Sequence, residues 1–129
     1  MNFEYYNPSD ESRSCVVRTM TKLTGKKYSI VKAELTALAQ ELGFETYNDE
    51  AVFGRYMAEH GIYKTKDHVD TTVGELELND GSYCVYCTNH KGFFHLIPVV
   101  DNVIYDRRND SLELYVIAVY KAAIPDTVI

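Results

Sequence analysis

The stretch of sequence that organises this chain is SRSCVVR, at residues 12–18. It places Cys15 in the first turn of a predicted helix over residues 14–24, which Ser12 or Ser14 can cap. A thiolate at a helix N-terminus is stabilised by unpaired N–H groups and by the positive end of the helix dipole, so its pKa falls. The pattern therefore indicates a nucleophilic cysteine, and the alternative is a small cysteine that only packs in the core.

The composition is that of a globular protein, and we expect one domain over residues 1–129. The chain is 46% hydrophobic and 25% charged, with a net charge of −6 and a pI near 5.1. Nucleic-acid surfaces are usually basic, so no nucleic-acid partner is expected. No apolar run reaches the length of about 18 residues that a membrane span needs. The three cysteines form no disulfide framework, so we expect free thiols in a reducing cytoplasm.

Two more helices follow from apolar residues at helical spacing. One is predicted to be capped by Ser29 and to run through about Leu42, and the other over residues 49–60 with Asn48 as its cap. His60 lies in the last turn, where a cation suits the negative end of the helix, so we interpret it as structural. His68 lies in a polar segment and is interpreted as a solvated loop residue.

From residue 82 onward the hydrophobic pattern changes from helical to strand-like. The links between the predicted strands are short, which favours an antiparallel sheet. Helices first and strands afterwards predict an α+β domain, with three N-terminal helices packed on a C-terminal antiparallel sheet of about four strands. The predicted strands are residues 82–88, 93–100, 103–106 and 112–121, while residues 1–11 are expected to be extended or irregular and residues 122–129 a surface tail.

The strands on either side of residues 101–102 should pair as a two-residue hairpin. In that register His95 and Asp106 share a face as diagonal neighbours, with Cβ atoms about 7 Å apart. This spacing allows a hydrogen bond between the imidazole and the carboxylate. Pro98 is a complication, because it cannot donate to a ladder and predicts an edge position or a bulge.

These three side chains are the parts of a nucleophilic triad. The Cys15 thiolate would attack an acyl carbon, His95 would hold the thiol proton and later give it to the leaving group, and Asp106 would orient the ring. Such chemistry needs no cofactor and no metal. The alternatives are a core histidine bonded to a backbone carbonyl, and a turn aspartate next to Arg107.

Two rival sites are also present in the sequence. Cys84 and Cys87 form a CxxC motif that is followed by two histidines, so a zinc site is conceivable. Residues three apart on a strand point to opposite faces, however, which argues against a shared metal. The second rival is His90 in place of His95 as the base, although no carboxylate is placed beside it by strand pairing.

Several short motifs occur in a familiar order. Ser-Cys-Val-Val-Arg at 14–18 is followed by Thr-Gly-Lys-Lys-Tyr at 24–28, and Gly-Ser-Tyr-Cys-Val at 81–85 precedes His95 and Val-Ile-Tyr-Asp at 103–106. Together they resemble small papain-like cysteine peptidase domains of phages and bacteria, and the similarity covers most of the chain.

The resemblance implies a papain-like α+β domain with Cys15 as nucleophile, His95 as base and Asp106 as the orienting residue. Many relatives have aspartate before the cysteine and a glutamine upstream that donates to the oxyanion. That glutamine is absent here, so its role would fall to Asn7, or to Ser9, alongside the Cys15 backbone N–H.

The predicted function is peptide or isopeptide cleavage through a thioester, with a protein or peptide as substrate. An amidase or a transglutaminase-like transfer stays open, because thioester chemistry does not fix the acceptor. The alternative from another class is a non-catalytic binding protein on the same scaffold, for example a phage protein that blocks a host factor. Nothing in the sequence indicates an oligomeric state.

Overall fold

The computed structural model describes residues 1–11, 13–67 and 69–123. The predictions for Ser12, for His68 and for most of the C-terminal tail lie outside these residues. The described part contains three α-helices, six strands and two short 3₁₀ turns. The helices are α1 Cys15–Thr24, α2 Tyr28–Leu42 and α3 Glu50–Glu59; the strands are β1 Asn2–Tyr5, β2 Ile62–Asp67, β3 Ser82–Thr88, β4 Phe94–Val100, β5 Val103–Asp106 and β6 Tyr115–Ala122; the turns are Val73–Glu75 and Asn109–Glu113.

The six strands form one mixed sheet in the order β1-β5-β4-β3-β6-β2. β1 runs parallel to β5, and the other neighbouring strands are antiparallel. The α+β class agrees with the sequence analysis, but the papain-like arrangement of three N-terminal helices on a C-terminal antiparallel sheet of about four strands is wrong. The sheet takes one strand from before the first helix and another directly after the third.

Both unpredicted strands lie at the edges of the sheet. β1 has only four residues and pairs with a strand about a hundred residues away, which no local pattern reveals. In β2 every residue after Ile62 is exposed, so its lysines and threonine show no alternation of apolar and polar positions. Polar edge strands with lysine are a common protection against edge-to-edge aggregation, and they are hard to distinguish from loops by sequence.

The predicted helices are present, with differences at their N-termini. Ser14 occupies the N-cap position of α1, but its side chain makes no capping hydrogen bond. The N-cap of α2 is Lys27 and not Ser29, and the cap of α3 is Asp49 and not Asn48; Asp49 Oδ1 accepts from the Ala51 N–H at 2.9 Å. Shifts of one or two residues are the usual uncertainty of helix ends.

An apolar core lies on each face of the sheet. The helices pack on one face against residues such as Cys84 and Leu96, and irregular segments cover the other face, which includes Cys87 and Ile97. Cys84 and Cys87 therefore lie in different cores, and their sulfurs cannot bind one metal ion together. No helix in the described part of the chain has the length and apolar character that crossing a membrane requires.

The hairpin of β4 and β5 has the predicted register, with Val100 opposite Val103. Asp101 and Asn102 have φ of 49° and 65°, the positive values that a type I′ turn requires at both positions. The ladder includes only one more pair and ends beside Pro98. The Asp101 N–H points to the β3 side, where it donates to the carbonyl of Gly81, the residue before β3, at 2.9 Å. Because backbone groups alternate sides along a strand, the backbone nitrogen of residue 98 faces β5. Proline has no N–H there, so it cannot extend the ladder between β4 and β5.

Beyond Pro98 the edge of β4 is open, and α1 lies along it. The Leu96 carbonyl accepts a hydrogen bond from the Thr19 hydroxyl of α1 at 2.9 Å. The backbone N–H of Leu96 faces the same side and helps to lower the pKa of the Cys15 thiol. The helix thus takes the place of β5 along this part of β4, which brings its first residue next to His95.

Candidate active site

A cleft of about 700 Å³ lies over the N-terminus of α1. Its lining includes Cys15 from α1, His95 from β4 and Asp106 from the end of β5, so the structure brings together the three residues of the predicted triad. The apolar part of the lining consists of Val16, Phe53, Tyr86, Phe93, Phe94 and Leu96.

The Cys15 thiol and the imidazole of His95 line the same cleft and are close enough for each group to shift the pKa of the other. Because Cys15 is the first residue of α1, its own N–H belongs to the set that has no partner within the helix. The side chain is partly exposed, in contrast to the two buried cysteines of β3. The sulfur is therefore both accessible from the cleft and surrounded by hydrogen-bond donors.

The other side of the imidazole contacts Asp106. His95 Nε2 lies 2.7 Å from Asp106 Oδ2, which leaves Nδ1 as the ring nitrogen for the thiol. The ring of Phe93 stacks on the imidazole, with centroids 5.5 Å apart and planes 24° apart. His95 is thus held by contacts on two edges and one face, and it is 7% exposed.

Asp106 is fully buried and accepts from three groups besides His95. Oδ1 accepts from Arg18 Nη2 at 3.1 Å and from the Arg107 backbone N–H at 2.7 Å, while Oδ2 also accepts from the Ser111 hydroxyl at 2.5 Å. With four donors on two oxygens, the carboxylate cannot rotate without losing several hydrogen bonds. This arrangement holds the orientation of the His95 ring.

Arg18 is the largest addition to the site relative to the sequence analysis, which assigned it no role. It is 3% exposed, and besides its bond to Asp106 it donates from Nη1 to the Ser14 hydroxyl at 3.3 Å. Its Nε has no partner among the described residues. Helical spacing was the available signal, because residues 14, 15 and 18 share one face of α1.

The electrostatics of the cleft favour an ion pair between Cys15 and His95. Burial raises the pKa of the Cys15 thiol, but the His95 hydrogen bond and charge, the Leu96 N–H and the Arg18 charge together bring that pKa below its ordinary value. Burial opposes protonation of His95, yet the hydrogen bonds and charges of Asp106 and Cys15 raise its pKa to about 9. Both shifts therefore favour a thiolate facing an imidazolium over a neutral thiol facing a neutral imidazole.

The pKa of Asp106 is shifted downward. Burial raises this pKa, and the imidazolium of His95, the Ser111 hydroxyl and the Arg107 N–H outweigh that effect. The carboxylate is thus ionised at neutral pH, where His95 is protonated. A charged Asp106 stabilises the imidazolium of His95 when the ring is protonated.

Other residues considered in the sequence analysis lie elsewhere. The ring of His90 stacks on Tyr115, with centroids 4.6 Å apart, and His90 is not among the described residues that line the cleft. Neither are Asn7 and Ser9, the two candidates for a side-chain donor to an oxyanion. Asn48, which precedes α3, has the only side-chain amide among the described lining residues.

No family model, curated protein or solved structure matches this chain.

Proposed function

We propose that this chain is a cysteine-dependent acyl-transfer hydrolase that cleaves peptide or isopeptide bonds. The observation that supports it most is a single imidazole with two partners. His95 lies beside the Cys15 thiol, whose pKa it lowers, and is hydrogen-bonded to Asp106 through its other edge. A nucleophile, a base and a group that orients the base, each within hydrogen-bond reach of the next, are the parts of a nucleophilic catalyst. The resemblance of the motif order to that of phage and bacterial cysteine peptidase domains adds support.

In the first half-reaction the Cys15 thiolate attacks the carbonyl carbon of the scissile amide and forms a carbon–sulfur bond. The carbonyl π electrons move to oxygen and return when the carbon–nitrogen bond breaks. The leaving nitrogen takes the proton that His95 holds, and departs as a neutral amine. The products of this step are a thioester on Cys15 and a neutral imidazole.

In the second half-reaction a water molecule enters from the cleft. His95 accepts one of its protons while the water oxygen attacks the thioester carbon. Cleavage of the carbon–sulfur bond releases the carboxylic acid and restores the thiolate beside the imidazolium. Asp106 stays ionised throughout and stabilises the imidazolium each time it forms.

The developing oxyanion would accept from the Cys15 N–H, which has no partner within the helix. The side-chain amide of Asn48 is a second donor that the lining offers. The role assigned to Asn7 from the sequence remains a prediction.

The direct test is turnover of a mixture of fluorogenic peptides, with acyl-enzyme detection by mass spectrometry. We expect hydrolysis and a thioester on Cys15 in the wild type, and neither in Cys15→Ala. His95→Ala should lose as much activity, and the double variant little more, because nucleophile and base act as a unit. Cys84→Ala is the matched control, since it removes a sulfur that is buried outside the cleft.

Circular dichroism must confirm that each variant is folded. Product that contains an added amine instead of water would reassign the chain as a transferase. A folded Cys15→Ala variant that retains every measurable effect of the wild type would make the chain a binding protein and end the hydrolase proposal.

A further inference from the structure

The charges that line the cleft differ from those of the chain as a whole. The chain carries a net charge of −6, with 19 acidic residues against 13 lysines and arginines. Nevertheless, four of its five arginines line the cleft, and the fifth, Arg55, lies on α3 outside it. Among the described residues Asp106 is the only acidic side chain in the lining, and its charge is already compensated by Arg18 and His95.

The three remaining arginines of the lining differ in how much of their charge is available. Arg108 pairs with Asp110 at 2.5 Å and lies over the ring of Phe93, 5.8 Å from its centroid. The exposed side chains of Arg13 and Arg107 have no hydrogen-bond or ion-pair partner among the described residues. Two uncompensated guanidinium groups therefore line the cleft that contains the reactive sulfur.

We propose that the cleft binds an acidic polypeptide segment, with Arg13 and Arg107 as the groups that recognise its carboxylates. This inference rests on the proposed function, because it names the substrate class of the same site. Guanidinium groups bind carboxylates through two parallel N–H donors, which gives orientation as well as attraction. A positive cleft in an otherwise negative surface concentrates the field and attracts an anion to one place.

The rest of the lining favours a peptide over a nucleic acid as the anion. The surface outside the cleft is acidic, so a long polyanion would be repelled everywhere except at the cleft. A peptide carries a few carboxylates between amide bonds, and an amide carbonyl is the group that a thiolate attacks. The exposed rings of Phe93 and Phe94 offer an apolar surface for side chains beside the acidic ones.

Arg13 is held in an unusual backbone conformation directly before the nucleophile. Its φ is 56°, in the left-handed region that non-glycine residues adopt uncommonly. A strained residue beside a reactive group is a reason to look for a function there. Binding of substrate carboxylate is the function that the exposed guanidinium of Arg13 can supply.

The test compares two alkylating reagents that differ mainly in charge. Iodoacetate is an anion and iodoacetamide is neutral, so the ratio of their rates at Cys15 measures the field in the cleft without any substrate. We expect the double variant Arg13→Gln/Arg107→Gln to lower this ratio by roughly tenfold at low ionic strength. Arg55→Gln is the matched control and should leave the ratio unchanged.

Salt provides an internal check, because added ions screen exposed charges over about 10 Å at 0.1 M. The ratio should fall with rising salt in the wild type and much less in the double variant. A double variant with the wild-type ratio at low salt would overturn the inference. Unusually slow alkylation of Cys15 by both reagents would instead refute the proposed function, while the ratio would still report the charge of the cleft.

A competition experiment identifies the class of anion. A glutamate-rich peptide, its glutamine counterpart of equal length and a short DNA oligonucleotide are each tested for protection of Cys15 from iodoacetamide. We expect the glutamate peptide to protect at concentrations at least about tenfold lower than the glutamine peptide, and the difference to disappear in the double variant. Equal protection by the two peptides, or better protection by the oligonucleotide, would overturn the assignment to an acidic polypeptide.

Discussion

Replacing Asp106 by asparagine should destabilise the protein strongly, because it leaves a buried arginine without a counter-charge. Arg18 is 3% exposed and its only carboxylate partner is Asp106, among the residues that the structure describes. Breaking a buried pair from one side costs about 3–5 kcal/mol. For a chain of this size that loss corresponds to a fall in Tm on the order of 10–20 °C.

The matched control is Asp110→Asn, which removes the carboxylate of an exposed pair. Arg108 and Asp110 are closer together, at 2.5 Å against 3.1 Å for Arg18 and Asp106, but their side chains are 60% and 48% exposed. Exposed pairs contribute little, because water and salt screen them. Comparing the two variants therefore separates the effect of burial from that of distance.

The measurement is urea unfolding followed by circular dichroism, at several pH values. The low pKa of Asp106 means that its stabilisation is fully present above the ordinary value of 3.8 and is lost as pH falls through the lower value in the folded state. The gap between the wild type and Asp106→Asn should therefore narrow in acid. Adding Arg18→Met to Asp106→Asn should recover part of the loss, because the unpaired charge is then gone.

Equal losses for Asp106→Asn and Asp110→Asn at neutral pH would refute this reasoning. So would a double variant whose loss is the sum of the two single losses, since that result would mean that Arg18 and Asp106 are not coupled.

Two further predictions concern the thiols and the pH profile. Limiting iodoacetamide at neutral pH should label Cys15 before Cys84 and Cys87, because burial raises the pKa of the other two thiols. Peptide mapping measures the labelling of each cysteine, and equal labelling of all three would contradict this prediction. Catalytic activity should fall as pH rises through about 9, where His95 loses its proton, and should also fall in acid below the lowered pKa of Cys15. An activity that keeps rising above pH 10 would show that the imidazolium is not required.

The contacts within the triad were largely predictable, because a short turn determines them. Residues 101–102 allow a two-residue hairpin, and its register alone places His95 and Asp106 within reach of each other. The first turn of a helix likewise places Cys15 among unpaired N–H groups without any long-range information. Each of these predictions depends on local chemistry within a segment of at most a dozen residues.

The rest of the site depends on contacts between distant parts of the chain. Nothing near Arg18 shows that its head group is buried, since the carboxylate that compensates it is 88 residues away. The parallel pairing of β1 with β5 is equally non-local. Most of β2 is exposed, so packing imposed no pattern on its sequence. Long-range burial and pairing cannot be derived from periodicity, and they account for the wrong sheet architecture.

The open edge of β4 beyond Pro98 has a consequence for the newly made chain. Cys15 is synthesised some eighty residues before His95 and Leu96, the groups that lower its pKa. Until the β4 edge exists and α1 docks on it, the sulfur is an ordinary thiol with an ordinary reactivity. In a nascent or incompletely folded chain the Cys15 sulfur therefore has no enhanced reactivity, and the reactive thiolate forms only after α1 has docked on β4. The rate at which Cys15 is alkylated can thus be used to measure the fraction of folded molecules in a preparation.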